Sequence, residues 1–197
     1  MRFPYLALVA VTLIGCGCQS DAPSGNGPAL ADAAVFKADA LPGEKAKLVL
    51  AGTEIPVEVK RRSEGTEVIL ELWAHGEIVQ QERYESVKDA FSLKVAGGEH
   101  YEPPLPLVKF PMEIGASWQW KGAMIAGERS HSAQGSVTTS TEQVYAPTPE
   151  AAVKVEVALE LDSGGPVAAK RTLTFWFVEG RGVVKRAFGA GSTREPG

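Results

Sequence analysis

From Lys45 onward the chain alternates apolar and polar residues with a period of two, the pattern of strands that bury one face. The clearest case is 151–161, where Val153, Val155, Val157, Leu159 and Leu161 share one face and Lys154, Glu156 and Glu160 share the other. In 66–73, Val68, Leu70 and Leu72 point to the core, and Glu67, Ile69, Glu71 and Trp73 point away. Further strands are predicted at 45–50, 55–60, 77–84, 90–95, 117–122, 135–145, 167–177 and 182–188. Gly52, Gly65, Gly76, Gly97-Gly98, Gly164-Gly165 and Gly180 fall between them, where tight turns need a permissive backbone. Gly180 and Gly182 should mark a strand-to-strand turn, with at least one of them at positive φ. Tyr101-Glu102-Pro103-Pro104-Leu105-Pro106-Leu107 interrupts the series. Its prolines cannot donate to a ladder, so an extended polyproline-like crossover is expected there. A helical period is missing after Ile14, although 32–40 can form one short turn. The fold class that follows is all-β: an antiparallel curved sheet, as a barrel, half-barrel or sandwich.

The N-terminus has a different pattern. Arg2 is followed by ten apolar or small residues from Tyr5 to Ile14 and then by Gly15, the shape of an export signal. Ten residues are too few to cross a hydrocarbon core, which needs about 20 in a helix, so cleavage is expected rather than a permanent anchor. Leu13-Ile14-Gly15-Cys16 resembles the bacterial lipobox. That resemblance implies a diacylglycerol thioether on Cys16, which becomes residue one and carries acyl chains such as palmitate; Cys18 is the rival site, without a branched residue three before it. Gly17, rather than Asp, follows Cys16, which implies outer-membrane sorting where the cell has two membranes. The organisation expected is a signal peptide at 1–15, a lipidated N-terminus and flexible tether at 16–44, an all-β domain at 45–188 and a flexible tail at 189–197.

Composition narrows the function. The formal net charge of −4 gives no electrostatic reason to bind nucleic acid. Both cysteines lie at the N-terminus, so the folded body has neither a disulfide nor a thiolate ligand. Partners are then the membrane, through the lipid on Cys16, and an apolar ligand or an envelope protein.

Two segments carry a family resemblance: Phe110-Pro111-Met112-Glu113-Ile114-Gly115-Ala116-Ser117-Trp118, and the aromatic strand Phe175-Trp176-Phe177 leading into Gly180-Arg181-Gly182-Val183-Val184-Lys185. Over about residues 45 to 188 the chain resembles β-rich bacterial lipoproteins of the TapB-like group, in which a Pro-apolar-x-apolar-Gly-x-x-Trp turn enters a mid-domain strand. It departs from that group at Ala146-Pro147-Thr148-Pro149-Glu150, where a Pro-Ala-Gly turn is usual, and at Val178-Glu179 in place of Ala-Pro. The resemblance implies a shape similar to the curved sheets of LolA- and LppX-like lipid carriers, a likeness of fold alone.

Catalytic patterns are weak. His75, His100 and His131 sit in polar or turn segments and read as solvated. Gly115-Ala116-Ser117-Trp118-Gln119 lacks the last glycine of a nucleophile elbow, and Gly189-Ala190-Gly191-Ser192 is followed by neither a helix nor a phosphate-loop lysine. Residues 130–141, rich in Ser and Thr, read as an exposed strand, with carbohydrate contact as the sharper idea. Lys60-Arg61-Arg62 reads as a solvated strand end. Trp118, Trp120, Phe175, Trp176 and Phe177 either fill the core or wall a site for an apolar ligand such as an acyl chain. The expectation is a non-enzymatic envelope lipoprotein without a cofactor, acting as a binding or structural module. A carrier or chaperone for a lipid or other apolar ligand is the alternative, and an exported hydrolase is a more remote one.

Overall fold

The computed structural model describes residues 30, 32–37, 44–50, 53–145, 149–162, 164 and 168–191. The signal at 1–15, Cys16, Cys18 and most of the tether lie outside the described residues. Eleven antiparallel strands follow one another in sequence order and form one strongly curled sheet, a half-barrel. They are β1 (Glu44–Leu50), β2 (Thr53–Glu64), β3 (Glu67–Ala74), β4 (Glu77–Val87), β5 (Ala90–Ala96), β6 (Glu99–Lys109), β7 (Ser117–Ala126), β8 (Arg129–Tyr145), β9 (Pro149–Asp162), β10 (Ala169–Val178) and β11 (Gly182–Gly191).

Turn chemistry sets this order. His75 (φ 53°) and Gly76 (φ 86°) are the two residues between β3 and β4, and Gly97 (58°) and Gly98 (80°) those between β5 and β6. Two successive positive φ angles match the twist of the flanking strands and close the tightest hairpins. Gly180 (72°) and Gly182 (69°) bracket the β10–β11 turn, as expected. Curl comes from irregular register: the ladders shift at Leu72/Trp73, Arg83/Tyr84, Phe91/Ser92 and Trp176/Phe177, and each such shift bends the strand and raises its twist.

The predicted alternation holds in β9, where Val153 to Leu161 are buried at every odd position. In β3, Val68, Leu70 and Leu72 enter the concave core, yet Ile69 and Glu71 are buried as well. The register puts Ile69 between Arg62 and Arg83, whose stems can cover it, and Glu71 accepts bonds from Trp73 Nε1 (3.1 Å) and Gln81 Nε2 (3.0 Å).

The crossover expected at 101–107 is instead the middle of a strand, β6. Its prolines are tolerated because the ladder there is one-sided: β5 pairs with it as far as Lys109, whereas β7 pairs only with Glu99 to Glu102. Beyond Glu102 the indoles of β7 take over, with Trp120 Nε1 donating to Pro103 O (3.2 Å) and Trp118 Nε1 to Pro106 O (3.0 Å). Gly122 has to be glycine, because a Cβ there would lie 2.4 Å from Glu102 O and 2.6 Å from the Trp120 ring.

The tether reading also needs correcting at its described part. Residues 33–36 form a 3-10 turn capped by Asp32, whose Oδ1 accepts from Ala34 N (2.7 Å). Phe36, 1% exposed, contacts Phe91, Phe110 and Phe177, and so plugs the end of the half-barrel that carries the β4–β5, β6–β7 and β10–β11 connections. Gly180 N donating to Val35 O (2.7 Å) ties the plug to the last of these. At the other terminus Gly189 to Gly191, read as tail, pair with Thr172 to Lys170 inside β11.

Candidate ligand cleft

The five aromatics expected to wall an apolar site do not share a surface. Phe175 and Phe177 are fully buried on the concave face, where Tyr84, Phe91 and Phe36 consume their area at ring separations of 5.0–6.4 Å. Trp120 is buried against Tyr101, and Trp118 is only half-buried, with the Lys109 ammonium 5.6 Å from its ring. Trp176 lies on the opposite face, as strand alternation between Phe175 and Phe177 requires, beneath the Lys185 ammonium at 4.3 Å. None of the five lines the two larger clefts among the described residues.

The larger cleft runs between the outermost strands of the sheet and has a volume of about 580 Å³. Ala46, Leu48 and Val49 of β1 form one lip, and Val183 to Phe188 of β11 form the other. Val57, Val59, Leu72 and Gln80 make the floor. Its size falls within the roughly 300–1,000 Å³ usual for small-molecule sites. One end is closed by ion pairs: Arg181 Nη2 to Glu44 Oε1 (2.7 Å), Arg181 Nη1 to Glu150 Oε2 (2.9 Å) and Arg61 Nη1 to Glu44 Oε2 (2.9 Å). At the other end Val49 (58% exposed) and Phe188 (45% exposed) leave apolar surface in solvent.

Arg61 corrects the reading of Lys60-Arg61-Arg62 as a solvated strand end. It shares the inward phase of Val57 and Val59, is 7% exposed and crosses to the last strand, where Nη2 donates to Val183 O (3.1 Å). Its Nε is buried without a partner. On β11 the register shift between Trp176 and Phe177 lets Val183 and Arg186, an odd number of positions apart, both reach the interior. Arg186 pairs there with Glu82, which is completely buried. Glu82 also accepts from Tyr84 Oη (2.6 Å) and Gln80 Nε2 (2.9 Å). Burial pushes the Glu82 carboxyl above its ordinary value, against the opposing pull of Arg186, and pushes the Tyr84 phenol well up in the same way. Arg61, Glu82 and Arg186 escaped sequence reasoning. For Arg61 the available signal was phase, because it continues the inward set of Val57 and Val59; Arg186 gave none, because it is out of phase with Val183 until the register shift brings both inside.

A smaller cleft of about 250 Å³ lies where the β5–β6 hairpin meets β10 and β11, lined by Tyr101, Leu173 and Phe188 and crossed by the Arg171–Glu99 ion pair. Burial first, and Glu99 second, hold the Tyr101 phenol above its ordinary range. The remaining candidates stay dispersed. His75 is a turn residue, His100 is exposed on β6 and His131 sits across from Met124 on β8. Among the described residues no group of three His, Cys, Asp or Glu side chains is placed to hold a metal. Ser117 is an exposed strand residue opposite Thr138. Within the hydroxyl-rich run Thr139 is buried and structural: its Oγ1 donates toward Glu113 O (3.0 Å) and Ala116 O (3.2 Å), clamping the turn that contains Gly115. No helix among the described residues is long and apolar enough to cross a membrane. No protein family, curated protein or solved structure matches the chain.

Proposed function

We propose that this chain is a lipid-anchored, non-enzymatic module of the cell envelope that holds an apolar ligand in the cleft between the first and last strands of its half-barrel. The observation that carries the reading is the cleft itself: about 580 Å³, floored by Val57, Val59 and Leu72, with Val49 and Phe188 exposed at its open end. Aliphatic surface left uncovered beside a well-filled core is where an apolar ligand gains most from leaving water. The export signature and Leu13-Ile14-Gly15-Cys16 support the anchor, and the single curled antiparallel sheet supports the carrier form of the reading.

Two measurements test it. Nile red should bind the purified protein saturably with a blue-shifted emission, and Val49→Glu, which puts a charge on the exposed edge-strand lip, should abolish the shift while leaving the thermal midpoint close to wild type. Absence of a saturable shift in the wild type would overturn the carrier reading. For the anchor, Cys16→Ser should eliminate incorporation of radiolabelled palmitate and leave the precursor unprocessed. Undiminished labelling of that variant would remove Cys16 as the lipidated residue.

A further inference from the structure

Among the described residues, the large apolar side chains left exposed are Val49, Ile78, Val79, Phe188 and Ile114. Ile114 belongs to the β6–β7 connection at the plugged end, whereas the other four stand at the opposite, open end. Val49 precedes the β1–β2 connection, Ile78 and Val79 follow the β3–β4 turn, and Phe188 lies near the end of β11, which runs away from the plug. Val49, Gln80 and Phe188 line one cleft, so Ile78 and Val79, between Gln80 and the turn, sit beside its mouth. The exposure on β4 is built into the ladder. Pairing passes from Leu72 with Gln80 to Trp73 with Ile78 and skips Val79. This bulge interrupts alternation, so two consecutive β-branched residues, Ile78 (46% exposed) and Val79 (49%), both reach solvent.

The four side chains do not share a face. Ile78 stands opposite Trp73 on the convex side, whereas Phe188 packs on Phe175 from the concave side at 5.8 Å. What they share is their depth along the barrel axis. A strand partner would follow one edge and a helix would need one groove, but side chains from both faces gathered at one depth fit a planar, fluid apolar layer. Behind them Trp73 carries the Lys60 ammonium 4.0 Å from its ring, an amphipathic aromatic and a snorkelling cation of the kind found at headgroup level. The charges beside Val49 cancel each other, Lys47 Nζ lying 2.7 Å from Glu54 Oε2. The length of the N-terminus permits the same contact. Residues 16–29 span at most about 50 Å when extended, whereas β4, which runs from one end of the sheet to the other, rises about 36 Å.

We infer that the open end of the half-barrel is a bilayer-contact surface: Val49, Ile78, Val79 and Phe188 enter the apolar layer, and Trp73 lies at headgroup depth with the Lys60 ammonium toward water. This goes beyond the ligand reading and does not need the cleft to be filled. Because Val49 and Phe188 are also lips of the cleft, the contact opens the cleft onto lipid rather than onto water. It depends on apolar burial and not on lipid charge.

The test is tryptophan quenching in the full-length protein, mixed with phosphatidylcholine vesicles whose acyl chains carry bromine and read against unbrominated vesicles. Val79→Trp adds an indole at the open end and Ile114→Trp adds one at the plugged end, both at exposed positions. The added emission of Val79→Trp should be mostly quenched, and that of Ile114→Trp should not. Ile78→Glu in the Val79→Trp background should restore most of the emission with an unchanged thermal midpoint. Replacing part of the lipid by phosphatidylglycerol should leave the quenching as it was. Equal quenching at the two positions would overturn the assignment, because the N-terminus alone would then be bringing the body to the lipid. Quenching that appears only with phosphatidylglycerol would put charge in place of apolar contact and overturn it as well. No quenching of Val79→Trp would overturn it and leave this end to a protein partner, and saturable Nile red binding in the same sample would show that the ligand site survives that failure.

Discussion

Arg186→Met is expected to lower the free energy of unfolding by about 3–5 kcal/mol at neutral pH, the usual cost of leaving one member of a buried ion pair without its partner. Methionine keeps much of the apolar stem, so the loss reports the missing charge more than the missing volume. Glu82 would then retain only the Tyr84 hydroxyl and the Gln80 amide as partners at a site with no solvent exposure. The loss should shrink on acidification. Burial already raises the Glu82 carboxyl above its ordinary value of 4.5, so the folded protein takes up this proton more readily than the unfolded chain. The contribution of this group to stability is therefore fully present below the ordinary value and is lost as pH rises through the higher folded one. Without Arg186 the folded value climbs further, and the destabilisation becomes steeper with rising pH. Urea unfolding of wild type and Arg186→Met across the range from acid to neutral pH measures both effects. A pH-independent cost below about 1 kcal/mol would show that the pair does not hold the last strand to β4.

Trp120→Ala is expected to cost about 3–5 kcal/mol, the range for deleting a large buried aromatic. The indole covers Gly122, contacts Tyr101 and bonds Pro103 O at the place where β7 has stopped pairing with β6. Trp120→Phe separates the two contributions. It keeps most of the packing and loses the bond, at a cost of about 0.5–1.5 kcal/mol, because Pro103 is exposed and water can take over its carbonyl. Trp118→Ala should cost clearly less than Trp120→Ala although both indoles bond to proline carbonyls, because Trp118 is only half-buried. Equal losses at the two positions would mean that the missing stretch of ladder, rather than burial, sets their importance; thermal or urea unfolding of the three variants decides between these outcomes.

The sequence by itself determined the class and most of the elements. Alternation in β9 and the paired positive-φ positions at His75-Gly76 and Gly97-Gly98 are local properties, set by the two-residue period of a strand and by the backbone freedom of short turns, so they can be read without knowing what lies opposite. Tertiary structure decided what each face meets. The prolines of β6 argue against a strand, and the segment became one only because β7 withdraws from it and offers Trp118 and Trp120 Nε1 to its carbonyls. Phe36 sits in a Gly-, Pro- and Ala-rich stretch with no period, and its burial depends on Phe91, Phe110 and Phe177 arriving at one end of the half-barrel. The cleft is the extreme case. Arg61 reaches Val183 across 122 residues, and Arg186 reaches Glu82 from the far edge of the sheet. Glu82 in an inward phase looks like an error of pattern until curling brings Arg186 across to it, because only the curled sheet supplies the opposite charge that makes its burial bearable.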